Sequence, residues 1–322
     1  MTGPRQRLES IDAFRGFSIV LMTLADYIAG PAVVPAWLKH PSEVGFTVID
    51  IIAPMFITAI GLTFGLSFRG RLARDGLRKT VEHFLSRNLA LIGLGALFTT
   101  LGNISGAEVD PSNWGLLQAI GVAGLITLVF IRMPVRLRWL AGLLLLAVYQ
   151  VLLSGFWLFS VASSTHGGLI GALSWGAMLI MATALGDMFH DAPRGRRWFP
   201  WIGIAMLGLG LLLAPGVPIS KHRVSASYVL LSLGISAIIF WCFHLAEQRF
   251  GHASALLVTW GRNSLILYLL HGALLGIVVM PPVPWWYKQA PVWLVVLQAL
   301  SMVSVMSWIA WTLDRKHFQF SL

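Results

Sequence analysis

Charge is scarce in this sequence. Of its 322 residues only 11% are Asp, Glu, Lys or Arg, against about 25% in a soluble globular protein. That excludes a soluble enzyme and a disordered chain. Cysteine is almost missing: Cys242 stands alone in an apolar run, so neither a disulfide framework nor a zinc cluster is available. No Walker A loop, HExxH pattern, GxSxG elbow or metal-ligand cluster occurs. Phosphoryl transfer and metallohydrolysis therefore lack their usual parts, and no metal is expected.

What is present is apolar, with 57% hydrophobic residues and a mean hydropathy of +0.77. Ten apolar segments recur, at about 11–30, 48–68, 87–104, 114–131, 139–160, 168–189, 199–214, 226–246, 255–278 and 291–313. Most approach the roughly 20 residues a helix needs to cross a bilayer. The expectation is an all-α, polytopic membrane protein of about ten transmembrane helices, forming one domain over residues 1–322. The basic start is followed by no A-x-A-like cleavage site, so the first run reads as a retained helix.

The net charge of +10 would suggest nucleic acid in a soluble protein; here its distribution speaks for orientation instead. With the N-terminus inside, the inner loops collect Arg69, Arg71, Arg74, Arg78, Lys79, Arg87, Arg132, Arg136, Arg138, Arg194, Arg196 and Arg197. The outer loops hold only Lys39, Lys221, Arg223 and Lys288. This positive-inside bias puts both termini in the cytoplasm. No nucleic-acid partner is expected, and compact loops make a bacterial cytoplasmic membrane the expected location. A homodimer is compatible with the sequence.

Ionisable groups at apolar depth cost at least roughly 2.5–3.5 kcal/mol each, so they carry the functional signal. The first segment holds Asp12, Arg15 and Asp26 on one stripe; Arg15 and Asp26 are about 20° from alignment. Asp12 and Arg15 are spaced either as an ion pair at the helix start or as a site. Asp26 has no partner within one turn. In the second segment Thr47, Asp50, Pro54, Thr58, Gly61 and Gly65 share a face, with Gly61 and Gly65 reading as a helix-association element. Asp50 reads as a site residue or as a helix cap. Between the two segments lies His40, an imidazole able to accept a proton beside a carboxylate. Ser264, Tyr268 and His271 line one face of the ninth segment. They form either an interhelical network or a second wall of a pocket, and Gln118 is a further buried amide. Helices one, two and nine would build a polar cavity, which fits an intramembrane enzyme or a transporter.

At these residues a resemblance enters. Arg7-Leu8-Glu9-Ser10-Ile11-Asp12-Ala13-Phe14-Arg15-Gly16 resembles the R-x-x-S-x-D-x-F-R-G opening of the heparan-α-glucosaminide N-acetyltransferase family. His40, Gly45, Thr47, Asp50, Pro54, Phe56 and Gly61 stand at the offsets of its histidine motif. Gly115-Leu116-Leu117-Gln118 is similar to its G-x-L-Q segment, and Gly261-Arg262-Asn263-Ser264 with Tyr268 and His271 to its G-x-N-S…Y…H segment. The likeness is dense over residues 7–68 and sparser at 115–118 and 261–271.

The resemblance implies a membrane acyltransferase that takes an acetyl group from cytosolic acetyl-CoA to a sugar or glycan acceptor on the far side. It implies His40 as catalytic base or acyl relay, oriented by Asp50, with Asp26 as a third catalytic group. Arg15, Gln118, Asn263 and Ser264 would contact the acyl donor; Asp12, Glu43, Tyr268 and His271 would line the pocket. Three positions depart from the pattern. Asp26 replaces an asparagine, Glu43 a tryptophan, and Ala119 follows Gln118 in place of arginine. They point to a different acceptor, or to drift away from CoA chemistry. The reading from a different class is a permease in which Asp26, Asp50 and Arg15 bind substrate or relay protons.

Overall fold

A computed structural model describes residues 8–41, 43–104, 114–191 and 193–316. Among these it is helical throughout, without strands. The helices are α1 (Glu9–Ile28), α2 (Ile52–Ile104), α3 (Leu116–Phe130), α4 (Val135–Leu152), α5 (Leu158–Ala162) and α6 (Gly168–Asp191). Then follow α7 (Pro193–Leu213), α8 (Ala226–Phe250), α9 (Ala255–Arg262), α10 (Ser264–Val279) and α11 (Val292–Arg315). Short 3-10 turns at Ala36–Leu38 and Val48–Ile51 lie between α1 and α2.

Five of the described helices are long and apolar enough to cross a membrane, or six if α9 and α10 form one broken span. Several expected segments take another form. Segments 48–68 and 87–104 lie on two helices of α2 that meet at a break at Gly76, whose φ of 77° suits glycine, so each extends further than its apolar run. The segment at 139–160 is α4 joined to α5 through a π turn at Leu153–Trp157. The ninth segment bends by 88° between Arg262 and Ser264. α3 has only 15 residues, and α1 carries Glu9, Asp12, Arg15 and Asp26 within its length. Large apolar side chains such as Phe156, Phe159, Leu212 and Trp308 are exposed, as a surface facing lipid allows.

The chain divides into two compact units. The first contains residues 8–41, 47–56 and 239–316. Its α1 starts where the Glu247 carboxylate accepts the backbone N–H groups of Glu9 (3.0 Å) and Ser10 (3.2 Å), donors that no helical carbonyl can satisfy. α1 crosses α9 at contact distance. A Cβ on Gly16 would overlap the Leu257 carbonyl, and one on Gly261 the Asp12 carbonyl. Ile19, Met22 and Ala25 then pack with Ile49, Ile52, Phe56, Trp260, Leu267 and Met306 in one core cluster.

The second unit contains residues 43–46, 57–104, 114–191 and 193–238. Its centre is α6, buried along most of its length. Gly61 and Gly65 seat α2 directly on Ala182 and Asp187 of α6, the close approach small residues permit. Arg138, only 2% exposed, donates to Thr183 (2.9 Å) and to the Asp187 carboxylate, which also receives Arg69 at 2.8 Å.

Removing one partner of a buried ion pair strands the other charge, at about 3–5 kcal/mol, whereas an apolar pair of similar volume is often neutral. Asp187→Ala is therefore expected to destabilise the protein by about that much in detergent unfolding. The double variant Arg138→Met with Asp187→Leu is expected to recover most of the loss. Equal stability of Asp187→Ala and wild type would contradict the buried-pair description.

Candidate functional site

Among the described residues three histidine–carboxylate pairs occur in the first unit; His244 and Glu247 lie one turn apart on α8 at 4.0 Å, and the other two join separate elements. The first of these two is His40 with Asp50. His40 Nδ1 lies 2.6 Å from Asp50 Oδ1. The Asp50 side chain is fully buried, while His40 is about one-third exposed. Asp50 Oδ2 accepts the Thr47 backbone N–H at 2.8 Å and the Thr47 hydroxyl at 3.1 Å. Asp50 is thus both the cap and the partner of the histidine; the two readings of this residue are one structure. A carboxylate accepting two hydrogen bonds from Thr47 requires the imidazole to donate through Nδ1. That leaves Nε2 as the basic nitrogen of the neutral ring.

The second pair joins Asp26, in the last turn of α1, to His271 of α10. Asp26 Oδ2 and His271 Nε2 are 2.9 Å apart, and His271 Nδ1 faces the Tyr268 carbonyl. Local spacing gave Asp26 no partner; the fold supplies one from the ninth segment. Tyr268 stands edge-on to His271 with ring centroids 5.3 Å apart. Nearby, Tyr287 donates to the Tyr27 carbonyl at 2.8 Å. Burial raises the Tyr287 phenol above the ordinary tyrosine value; the Gly30 backbone pulls the other way, and the Asp26 charge adds a further rise.

The remaining expected residues fall as follows. Asp12, 3% exposed, is paired with Arg15 at 3.3 Å on α1. Asn263 sits at the break between α9 and α10, 2% exposed, and its Nδ2 donates to the Thr259 carbonyl at 3.1 Å. Its Oδ1 is buried with no hydrogen-bond partner among the described residues. Ser264 begins α10, half-buried. Gln118 and Glu43 belong to the second unit. Gln118 Oε1 accepts the Gly115 N–H at 2.6 Å and so caps α3. Glu43 Oε1 receives Arg223 through Nε (3.0 Å) and a terminal amine (2.5 Å). Arg7, the first residue of the opening motif, lies outside the described residues.

Two features escaped the sequence reading. Asp187 was legible as a carboxylate inside an apolar segment, but Arg138 looked like one more loop arginine. Glu247, which starts α1 from 238 positions away, left no local signal. Among the described residues no cluster of three or more His, Cys, Asp or Glu could hold a metal ion.

A family model described as heparan-alpha-glucosaminide N-acetyltransferase, catalytic, matches residues 7–246. Heparan-alpha-glucosaminide N-acetyltransferase of Mus musculus is 32% identical over 121 residues, covering 36% of this chain and 18% of the mouse protein. The Homo sapiens protein of the same name is 31% identical over 121 residues, with the same shares. The aligned stretch is thus under one-fifth of these relatives' length.

Asp50→Ala removes the Thr47 cap and the partner of His40 together. It is expected to lower stability by about 1–2 kcal/mol, read as the unfolding midpoint of the detergent-solubilised protein. An unchanged midpoint would show that Asp50 does not hold this segment.

Proposed function

The chain belongs to the heparan-alpha-glucosaminide N-acetyltransferase catalytic family, and we propose that it is a membrane-embedded acyltransferase. It moves an acetyl group from cytosolic acetyl-CoA to an amine or hydroxyl of a sugar or glycan acceptor on the outer side. Residues 1–322 act as one catalytic domain with ten membrane segments and both termini inside a bacterial cytoplasmic membrane. The arginine-rich loops on one side support that orientation.

The observation that carries the reading is the His40–Asp50 contact of 2.6 Å, with Asp50 fixed by Thr47. Acyl transfer needs a base for the attacking nucleophile. His40 Nε2 takes the acceptor's proton, and Asp50 holds the ring in the required tautomer and balances the imidazolium that forms. This is the division of labour between imidazole and carboxylate in hydrolase triads. Acetyl-CoA supplies the acyl group as a substrate. The unsatisfied Asn263 Oδ1 fits a polar ligand that brings a donor hydrogen to the break between α9 and α10. Ser264 lies beside it, and Arg15 supplies positive charge for the donor's phosphates. Within the first unit, Asp12, Tyr268 and His271 are assigned to the acceptor pocket.

Purified protein is expected to melt at a higher temperature with acetyl-CoA. The shift should be retained in His40→Ala and reduced in Arg15→Ala. Acetyl transfer to amino sugars and sugars should fall about 10²–10⁴-fold in His40→Ala. Absence of stabilisation by any acyl-CoA would overturn the proposal. So would substrate flux in acyl-CoA-free vesicles that survives His40→Ala, which would establish a permease.

A further inference from the structure

The two histidine–carboxylate pairs that join separate elements are built in opposite senses. In the first, a buried carboxylate holds a histidine whose other nitrogen is the reactive atom. In the second the histidine is the buried member: the His271 side chain is 8% exposed and the Asp26 side chain 43%. The Tyr268 carbonyl can only accept, so His271 Nδ1 bears a hydrogen. His271 Nε2 faces the Asp26 carboxylate at 2.9 Å, so the ring is held at both nitrogens, by the Tyr268 carbonyl and by Asp26.

Two consequences follow for Asp26. Its Oδ2 is occupied by His271, while Oδ1 has no hydrogen-bond partner among the described residues. An ionised carboxylate has no hydrogen to give, so Asp26 cannot donate to a developing oxyanion, the task a neutral amide could perform there. Ala25 beside Asp26, Ile49 beside Asp50, and Leu267 with Tyr268 before His271 all pack in one apolar cluster, so both pairs flank the same core. The phenols of Tyr268 and Tyr287 lie within electrostatic reach of Asp26.

We propose that Asp26 is the acceptor-binding residue: its Oδ1 takes a hydrogen bond from an O–H or N–H of the acceptor next to the acylated atom, and His271 positions the carboxylate to receive it. This assignment rests on the acyltransfer reading above. It makes position 26 a determinant of which acceptor is used, with no covalent step of its own.

The test is steady-state acetyl transfer from acetyl-CoA by the full-length protein to glucosamine, glucose and their deoxy analogues lacking the neighbouring hydroxyl. Asp26→Ala is expected to raise KM for the parent acceptors about ten- to hundredfold, with a smaller fall in kcat, and to erase the preference over the deoxy analogues. His271→Leu should do the same. His271→Gln, which keeps an amide N–H toward Asp26, should raise KM less. A loss confined to glucosamine assigns its ammonium group to Oδ1, and an equal loss on glucose assigns a hydroxyl.

A fall in kcat with unchanged KM would overturn the proposal, as would a deoxy preference that survives Asp26→Ala. Where Asp26→Ala does not fold, the wild-type comparison decides: no discrimination against the deoxy analogues overturns it. If wild type binds acetyl-CoA but acylates none of these acceptors, the proposal also fails while the donor site stands. If wild type neither binds acetyl-CoA nor forms product, the acyltransfer reading itself fails.

Discussion

The fully buried Asp50 carboxylate is the anchor on which the first unit's site depends. One oxygen receives the Thr47 backbone and hydroxyl, which starts the helical segment at Val48. The other receives His40 from the loop ten residues earlier. A single carboxylate therefore closes the loop, begins the helix and sets the histidine tautomer. Without it the half-buried Thr47 N–H and the imidazole would both lose their acceptor, a loss larger than the net worth of any one hydrogen bond.

The same rule runs through the rest of the molecule. In a body this apolar an ionised group is retained only where another group meets it. Arg138 meets Asp187, and Asp187 also meets Arg69. Asp12 meets Arg15, and Asp26 meets His271. The Arg138–Asp187–Arg69 and Asp26–His271 pairs join different helices, whereas Asp12–Arg15 stays within α1; the glycines let the helices come close enough. Gly16 and Gly261 do this in the first unit, Gly61 and Gly65 in the second.

Much of this was legible in the sequence. The helical class followed from the apolar runs, and the stripe Asp12–Arg15–Asp26 followed from a 100° step. The nearness of His40 and Asp50 was implied by the resemblance. What was not legible lies in tertiary pairing. His271 is 245 positions from Asp26, and no local pattern announces that contact. The charged stretch at 69–87 looks like a loop to hydropathy; helix runs into it from both sides as far as the break at Gly76, supported by Arg71–Asp75 and Arg78–Glu82 pairs at i,i+4. The bend at Asn263 was hidden because each side of it is apolar.

The two pairs differ in which member is enclosed: a buried Asp50 holds His40 through Nδ1, and a buried His271 meets Asp26 through Nε2. The most direct measurement is ¹⁵N NMR of selectively labelled imidazoles in the purified protein, with single replacements of His40 and His271 to assign the signals. The expected result is that the neutral His40 ring carries its hydrogen on Nδ1, and that Asp26→Ala shifts the His271 signals while leaving those of His40 in place. A neutral His40 ring with its hydrogen on Nε2, or His271 signals unchanged by Asp26→Ala, would contradict the account.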